Sequence, residues 1–276
     1  MNRTFECISL QDIDRIPCNT SNHWIGNVRP TDYETKIEET NTRNWIDRFD
    51  IPYTTFTLTN PQHIQWMKEA TLVCHITKTF SPLFQEELEE TLSELEHIME
   101  ETTKSILKQG VFVRTEQVSL KSGCHGVGPY YNMKSILESI VTSRIGHSPM
   151  DQNTHSITLY LIPWVDIQHE FRVFVYQNKV TAISQQHFYQ EIYHHDDEVR
   201  PWIDMILQEF VTIQPKLSFL ENYVFDIGIV SGRPYFIEPN TFGKAYTSGS
   251  SLFHWIIDQD ILYQIHDHVT IRYSRG

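Results

Sequence analysis

Asp226, Glu238 and Asn240 lie in one stretch, FDIGIVSGRPYFIEPN, running from Phe225 to Asn240. Side chains two apart on a strand point to the same face, so Glu238 and Asn240 project together. If the three residues Ser231, Gly232 and Arg233 form the turn of a hairpin, Asp226 lies opposite Glu238 and joins that face. Two carboxylates and an amide on one face are costly to bury unless a cation holds them. A donor set made only of oxygens suits a hard ion, Mg²⁺ or Mn²⁺, of the kind that bridges phosphates. A simply solvated face is the other reading of the same three residues.

Basic residues upstream fit the phosphate half of that chemistry. Arg114 ends the apolar run Val111-Phe112-Val113. Lys121 follows, then the glycine-rich stretch Gly123-Cys124-His125-Gly126-Val127-Gly128. Glycines let backbone N–H groups approach phosphates, and Arg and Lys balance their charge. An ordinary glycine-rich loop is the plain alternative. The apolar connection around Pro163, Trp164 and Val165 can offer backbone groups to a base edge and apolar walls to its faces. Glu170 and Arg172 alternate onto one face of a strand, where a buried ion pair is the alternative to ligand binding.

The elements that must position these residues follow from periodicity and punctuation. Residues 51–58 are rich in β-branched and aromatic types and predict a strand. Asn60-Pro61 and Ser81-Pro82 read as helix starts, the second opening an amphipathic helix with Leu88, Leu92 and Leu95 on one face. Gly110 reads as a helix stop before the 111–114 strand. Helices are expected over 133–143, 200–210 and 252–263, and strands over 156–164, 169–175, 180–185, 223–230 and 234–237. Gln177-Asn178-Lys179 and Ser231-Gly232-Arg233 read as hairpin turns. Loops are expected at Asn19-Thr20-Ser21-Asn22 and at Arg29-Pro30-Thr31-Asp32. Hairpins rather than repeated βαβ units argue for an α+β protein with antiparallel sheets flanked by helices, and against a dinucleotide-binding parallel sheet.

Composition narrows the functional classes. A formal net charge of −13 disfavours nucleic acid and anionic membrane as general partners. The N-terminal MNRTFECISLQDIDRI lacks the apolar core of a signal peptide, so a cytoplasmic location is expected. The cysteines Cys7, Cys18, Cys74 and Cys124 form no close pair, which argues against a disulfide framework or zinc knuckle. Cys124 and His125 are adjacent, so their side chains are expected to diverge. His194-His195-Asp196-Asp197 reads as a wet loop, and His266-Asp267-His268 lacks a third ligand at metal-binding spacing.

The order of these features resembles the ATP-grasp proteins, and within them the cell-division-cycle-123 family and its divergent bacterial and viral relatives. The resemblance rests on FSPLF at 80–84, EFRVFVYQNKVTAISQQHFYQ at 170–190, FDIGIVSGRPYFIEPNTFG at 225–243 and SLFHW at 251–255, and spans about residues 75–263. It implies an N-terminal lobe (1–75), a central lobe (76–165) and a C-terminal lobe (166–276), with ATP held between two α+β lobes. It implies phosphate contacts from Arg114 and Lys121 and a reach from Arg172 to the phosphate or substrate end, with Lys121 and Arg172 also catalytic. It further implies an adenine hinge at Pro163, Trp164 and Val165, and Mg²⁺ (or Mn²⁺) on Asp226, Glu238 and Asn240. The divergent relatives look like ATP-dependent ligases that activate a carboxylate for attack by an amine. The eukaryotic members are ATP-binding assembly chaperones for translation initiation factor 2. Arg114 stands where those eukaryotic members have Lys, which resembles the divergent group. The acceptor is then a small molecule or a protein, the latter including an initiation-factor subunit.

Overall fold

Strand-forming and helix-forming stretches succeed one another as β1 (Asn2–Ser9), α1 (Leu10–Ile13), α2 (Tyr33–Glu39), β2 (Thr54–Leu58), α3 (Pro61–Thr77), α4 (Gln85–Ile98), α5 (Glu101–Gln109), β3 (Val111–Arg114), α6 (Met133–Thr142), β4 (Ile157–Pro163), β5 (His169–Tyr176), β6 (Lys179–Gln185), α7 (Asp196–Lys216), β7 (Tyr223–Val230), β8 (Arg233–Thr241), α8 (Gln259–Leu262) and β9 (His268–Arg275). The computed structural model describes residues 2–13, 29–144, 146–190, 193–246 and 248–275. The loop expected at Asn19–Asn22, and Cys18, lie outside them.

The chain divides into two units, residues 50–165 and residues 1–49 with 166–276. The stretch 1–75 contributes to both, since β1 and β2 enter different sheets.

Residues 50–165 build a three-stranded antiparallel sheet, ordered β2-β4-β3, covered by helices. Asn60 caps α3 by accepting a hydrogen bond from the Gln62 N–H, with Pro61 in the first turn, where its missing N–H costs nothing. Gly110 ends α5 at φ +90°, a conformation that favours glycine, and turns the chain into β3. The core gathers Trp66, Met67 and Cys74 from α3, Leu88 and Leu95 from α4, Ile136, Leu137 and Ile140 from α6, and Leu159 and Leu161 from β4.

The other unit is a six-stranded sheet in the order β1-β9-β6-β5-β7-β8. The β6–β5–β7–β8 part is antiparallel: the hairpin turns pair β5 with β6 and β7 with β8, and β7 returns after α7 to lie beside β5. The far edge is not: β9 pairs parallel with both β6 and β1. The expectation of purely antiparallel sheets fails there because β9 reaches β6 only after α7, β7, β8 and α8. Hairpin punctuation says nothing of a strand that returns from so far along the chain. One face of the sheet packs on α7, where the Phe210 and Phe225 rings stack at 6.1 Å. The other face carries an apolar cluster of Phe174, Ala182, Val224, Phe242, Phe253, Trp255 and Leu262.

Two helices differ from expectation. The helix expected over 252–263 is confined to Gln259–Leu262. Before it, side chains take over the backbone's hydrogen bonds: the His254 N–H donates to Asp258, His254 Nδ1 accepts from the N–H groups of Ile256 and Ile257, and the Trp255 indole donates to the Ser248 carbonyl. Such local bonds compete with the helical ladder. Conversely, α7 starts at Asp196, so half of the expected wet loop is helix. Asp196, Asp197 and Glu198 occupy its first turn, where the helix dipole favours carboxylates. Among the described residues no helix is long and apolar enough to cross a membrane.

Candidate functional site

The β7–β8 hairpin sets the carboxylates face to face by a route the sequence did not suggest. Its turn has two residues, Ser231 and Gly232, both at positive φ (50° and 74°), with Val230 paired to Arg233. That is the left-handed pair a tight hairpin favours. Continued without interruption, this register would set Asp226 opposite Ile237. A bulge between Asp226 and Ile227 shifts it by one, so Asp226 pairs with Glu238, and Val224 with Asn240. The bulge on β8, which is an edge strand, restores the parity that the expected three-residue turn would have supplied.

On its other side Asp226 pairs with Arg172 of β5. The Arg172 guanidinium grips it at two points: Nε donates to Oδ1 at 2.8 Å and one terminal nitrogen to Oδ2 at 2.7 Å. The other terminal nitrogen donates to the Gly249 carbonyl at 2.7 Å. Gln186 adds a bond to Oδ1 at 3.1 Å, and the Asn240 amide one to Oδ2 at 3.3 Å. Asp226 is 2% exposed and Arg172 9%. Burial pushes the Asp226 carboxyl above the usual carboxylate value, and the Arg172 guanidinium opposes that shift. The ion pair anticipated for Arg172 exists, but its partner is Asp226; Glu170 instead meets His187 at 3.1 Å.

This pair belongs to a row that crosses the sheet. Successive cross-strand partners are Glu6, Arg272, Ser184, Arg172, Asp226 and Glu238. Arg272 donates to Glu6 at 2.6 Å and forks onto Asp258 at 2.7 and 2.9 Å, with its guanidinium 4.3 Å above the Phe253 ring. Ser184 Oγ accepts from the Leu252 N–H, and Ser251 Oγ donates to Gln186. The 248–258 segment is thereby fastened to the row by Gly249, Ser251, Leu252 and Asp258. Sequence reasoning missed Gln186, Arg272 and Asp258. Gln186 was within reach, since it follows Ser184 with strand parity; the other two owe their place to β9.

Asp226, Glu238 and Asn240 offer only oxygen donors to an ion, which fits a hard divalent cation. Asp226 is buried and saturated with hydrogen bonds, whereas Glu238 and Asn240 are half-buried on the edge strand. Those two are the accessible donors, with Asp226 behind them as an anchor.

Within residues 50–165, Arg114 ends β3 at 1% exposure, opposite Tyr160 of β4. Lys121 is exposed on a short turn that leads into the glycine-rich loop. Pro163 closes β4 opposite Val111, the Trp164 N–H donates to the Gly110 carbonyl, and Pro163, Trp164 and Val165 are half-buried. Gly128, at φ +113°, lies so close under the Trp164 ring that a Cβ there would stand 3.3 Å from it. The loop and the apolar connection are therefore neighbours. Cys124 and His125 do not diverge: the loop brings their ligand atoms within 4.8 Å of each other and of the Glu138 carboxylate.

A mixed six-stranded sheet crossed by a guanidinium–carboxylate row, together with a helix-covered three-stranded sheet, defines an α+β protein. Residues 133–273, just over half of the chain, match the D123 family profile, and the chain belongs to that family. Cdc123 from Schizosaccharomyces pombe is similar in structure, with a TM-score of 0.58 and 15% identity over 88% of this chain and 98% of that one. Its C-terminally truncated form gives 0.57 and 15% over 87% and 97%. At that identity the likeness shows a shared fold. D-alanine–D-alanine ligase from Bacillus anthracis, complexed with ATP, gives 0.42 and 11% over 83% and 66%.

Proposed function

We propose that this protein binds ATP with Mg²⁺ and works as an assembly chaperone of the Cdc123 kind, acting on a subunit of translation initiation factor 2. The observation that carries the reading is the register that sets Asp226 against Glu238, with Asn240 two residues on along the same strand. Membership of the D123 family and the Cdc123 fold support it. Glu238 and Asn240 hold the ion, and Asp226, oriented by Arg172, anchors the face behind them. Bound there, Mg²⁺ supplies charge neutralisation for a triphosphate. Within residues 50–165, Lys121 offers an exposed point charge and Arg114 a base at the end of β3 suited to phosphates, and Pro163, Trp164 and Val165 offer apolar walls suited to a base. The net charge of −13 suits a partner with a basic face. The test is calorimetry of ATP with Mg²⁺, followed by capture of the factor's gamma subunit with and without nucleotide. ATP-independent capture, or none, overturns the chaperone reading.

A second reading is an ATP-dependent ligase that activates a carboxylate for attack by an amine. It is favoured by Arg114, which resembles the divergent bacterial and viral relatives at the place where eukaryotic members have Lys. Release of ADP or AMP with a panel of carboxylate and amine acceptors, with no protein partner present, would replace the first reading by this one.

A further inference from the structure

Cys124, His125 and Glu138 form the one group of three potential metal ligands with mutually close donor atoms among the described residues. They belong to residues 50–165, whereas β7 and β8 belong to the other unit. Cys124 and His125 belong to the glycine-rich loop, and Glu138 to α6.

The loop is built onto that helix at several points. Gly123 touches α6 so closely that a Cβ would stand 2.5 Å from the Ser139 carbonyl oxygen. The Cys124 N–H donates to Thr142 Oγ at 2.9 Å, and that hydroxyl donates on to the Glu138 carbonyl. Tyr130 OH bonds the Gly126 carbonyl at 2.7 Å and Ser139 Oγ at 3.1 Å. Both sides of the Cys124-His125 pair are thus tied to α6. His125 Nε2 already meets one Glu138 oxygen at 2.6 Å. The other oxygen lies 4.0 Å from the Lys134 ammonium. An imidazole–carboxylate pair accounts for two of the three groups and gives the thiol beside them no part.

We propose that Cys124, His125 and Glu138 bind a zinc ion. A thiolate with an imidazole selects a borderline-soft metal over Mg²⁺ or Ca²⁺, and the carboxylate completes three protein ligands with a fourth position for water. Bonds of about 2.0–2.3 Å in a tetrahedron set donors roughly 3.4 Å apart, so the His125–Glu138 contact opens by under about 1 Å to admit the ion. Coordination takes the proton from the Cys124 thiol, which leaves to solvent. Cys124 and His125 are exposed, so the entry path is open. The ion joins the loop to α6.

The test uses the full chain, stripped with a chelator and titrated with Co²⁺. One equivalent is expected to produce a thiolate-to-cobalt charge-transfer band and tetrahedral visible bands, both erased by Zn²⁺ and unaffected by excess Mg²⁺. Cys124→Ser removes the charge-transfer band; His125→Ala and Glu138→Gln each weaken Co²⁺ binding by about tenfold or more, the scale of losing one contributing group. Cys7→Ser leaves the band intact. No charge-transfer band in the wild type, or a band that survives Cys124→Ser, overturns the proposal. ATP affinity measured on the same samples keeps the two sites apart, since a chain that binds ATP–Mg²⁺ and ignores Co²⁺ refutes the zinc site alone.

Discussion

Arg172 and Asp226 stand directly opposite each other on β5 and β7 and share two hydrogen bonds of 2.8 and 2.7 Å in a buried part of the sheet. Removing one member strands the other's charge without water. Asp226→Asn is expected to cost about 3–5 kcal/mol of stability, whereas the double replacement Arg172→Met with Asp226→Leu recovers most of that loss. Urea unfolding of the single and double variants checks this; a double variant no more stable than Asp226→Asn would show that the pair is not the source of the cost.

The proposed metal face separates from this structural pair by its accessible members. Glu238→Gln and Asn240→Ala are expected to weaken ATP binding about tenfold in Mg²⁺ while changing stability by under about 1 kcal/mol, as exposed or half-exposed edge positions do. Lys121→Ala, which removes an exposed charge, weakens ATP by a similar factor, and its effect fades as salt rises. Calorimetry across a salt series reads both, and unchanged affinity in Glu238→Gln and Asn240→Ala together removes the metal assignment.

His169 is expected to give the sheet a pH response. Its Nδ1 meets the Tyr193 hydroxyl at 3.0 Å, its ring lies 5.1 Å from that of Trp202, and burial pulls its pKa below the ordinary 6.5. The folded state thus favours neutral imidazole, so the unfolded chain binds more protons just below pH 6.5. The stability contributed is complete above that value and falls as pH drops toward the folded-state pKa. Unfolding free energies measured from pH 7 down to 5 should decline with a slope that His169→Gln reduces; an identical slope in the variant would place the titration elsewhere.

Two glycines of the loop are glycine for opposite reasons. Gly123 has an ordinary φ of −77° but no room beside Ser139. Gly126 has open space but a φ of +68°. Gly123→Ala is expected to cost about 1–3 kcal/mol through overpacking. Gly126→Ala costs roughly 1–2 kcal/mol through the left-handed backbone, and Gly126→Asn costs less because Asn tolerates that region. Chemical denaturation of the three variants gives the ranking directly, and Asn no milder than Ala at 126 would contradict the backbone explanation.

Most elements were legible because their signals are local. Asn60-Pro61 begins α3, Gly110 stops α5, and the β-branched runs become β2, β4, β5 and β6 as their alternation demands. The failures share a cause. The aromatic run 252–263 has helix-like composition, yet His254 and Trp255 spend their polar atoms on the backbone and only one helical turn forms. The turn is Ser231-Gly232, one residue shorter than the expected 231–233, and the bulge at Ile237 compensates. Neither event leaves a mark on hydropathy: the first turns on side-chain hydrogen bonds to nearby backbone, the second on the register of two paired strands.

Strand parity in IEPN alone determines that Glu238 and Asn240 share a face, since a pleated backbone alternates its side chains whatever surrounds it. Only the tertiary structure decided what lies next to them. The pairing of β7 beside β5 set Arg172 against Asp226, the bulge set Asp226 against Glu238, and a strand arriving from the C-terminal segment carried Arg272 into the same row. Register between strands is settled by the packing of both faces, and that packing draws on residues spread through residues 1–49 and 166–276, not on the motif itself.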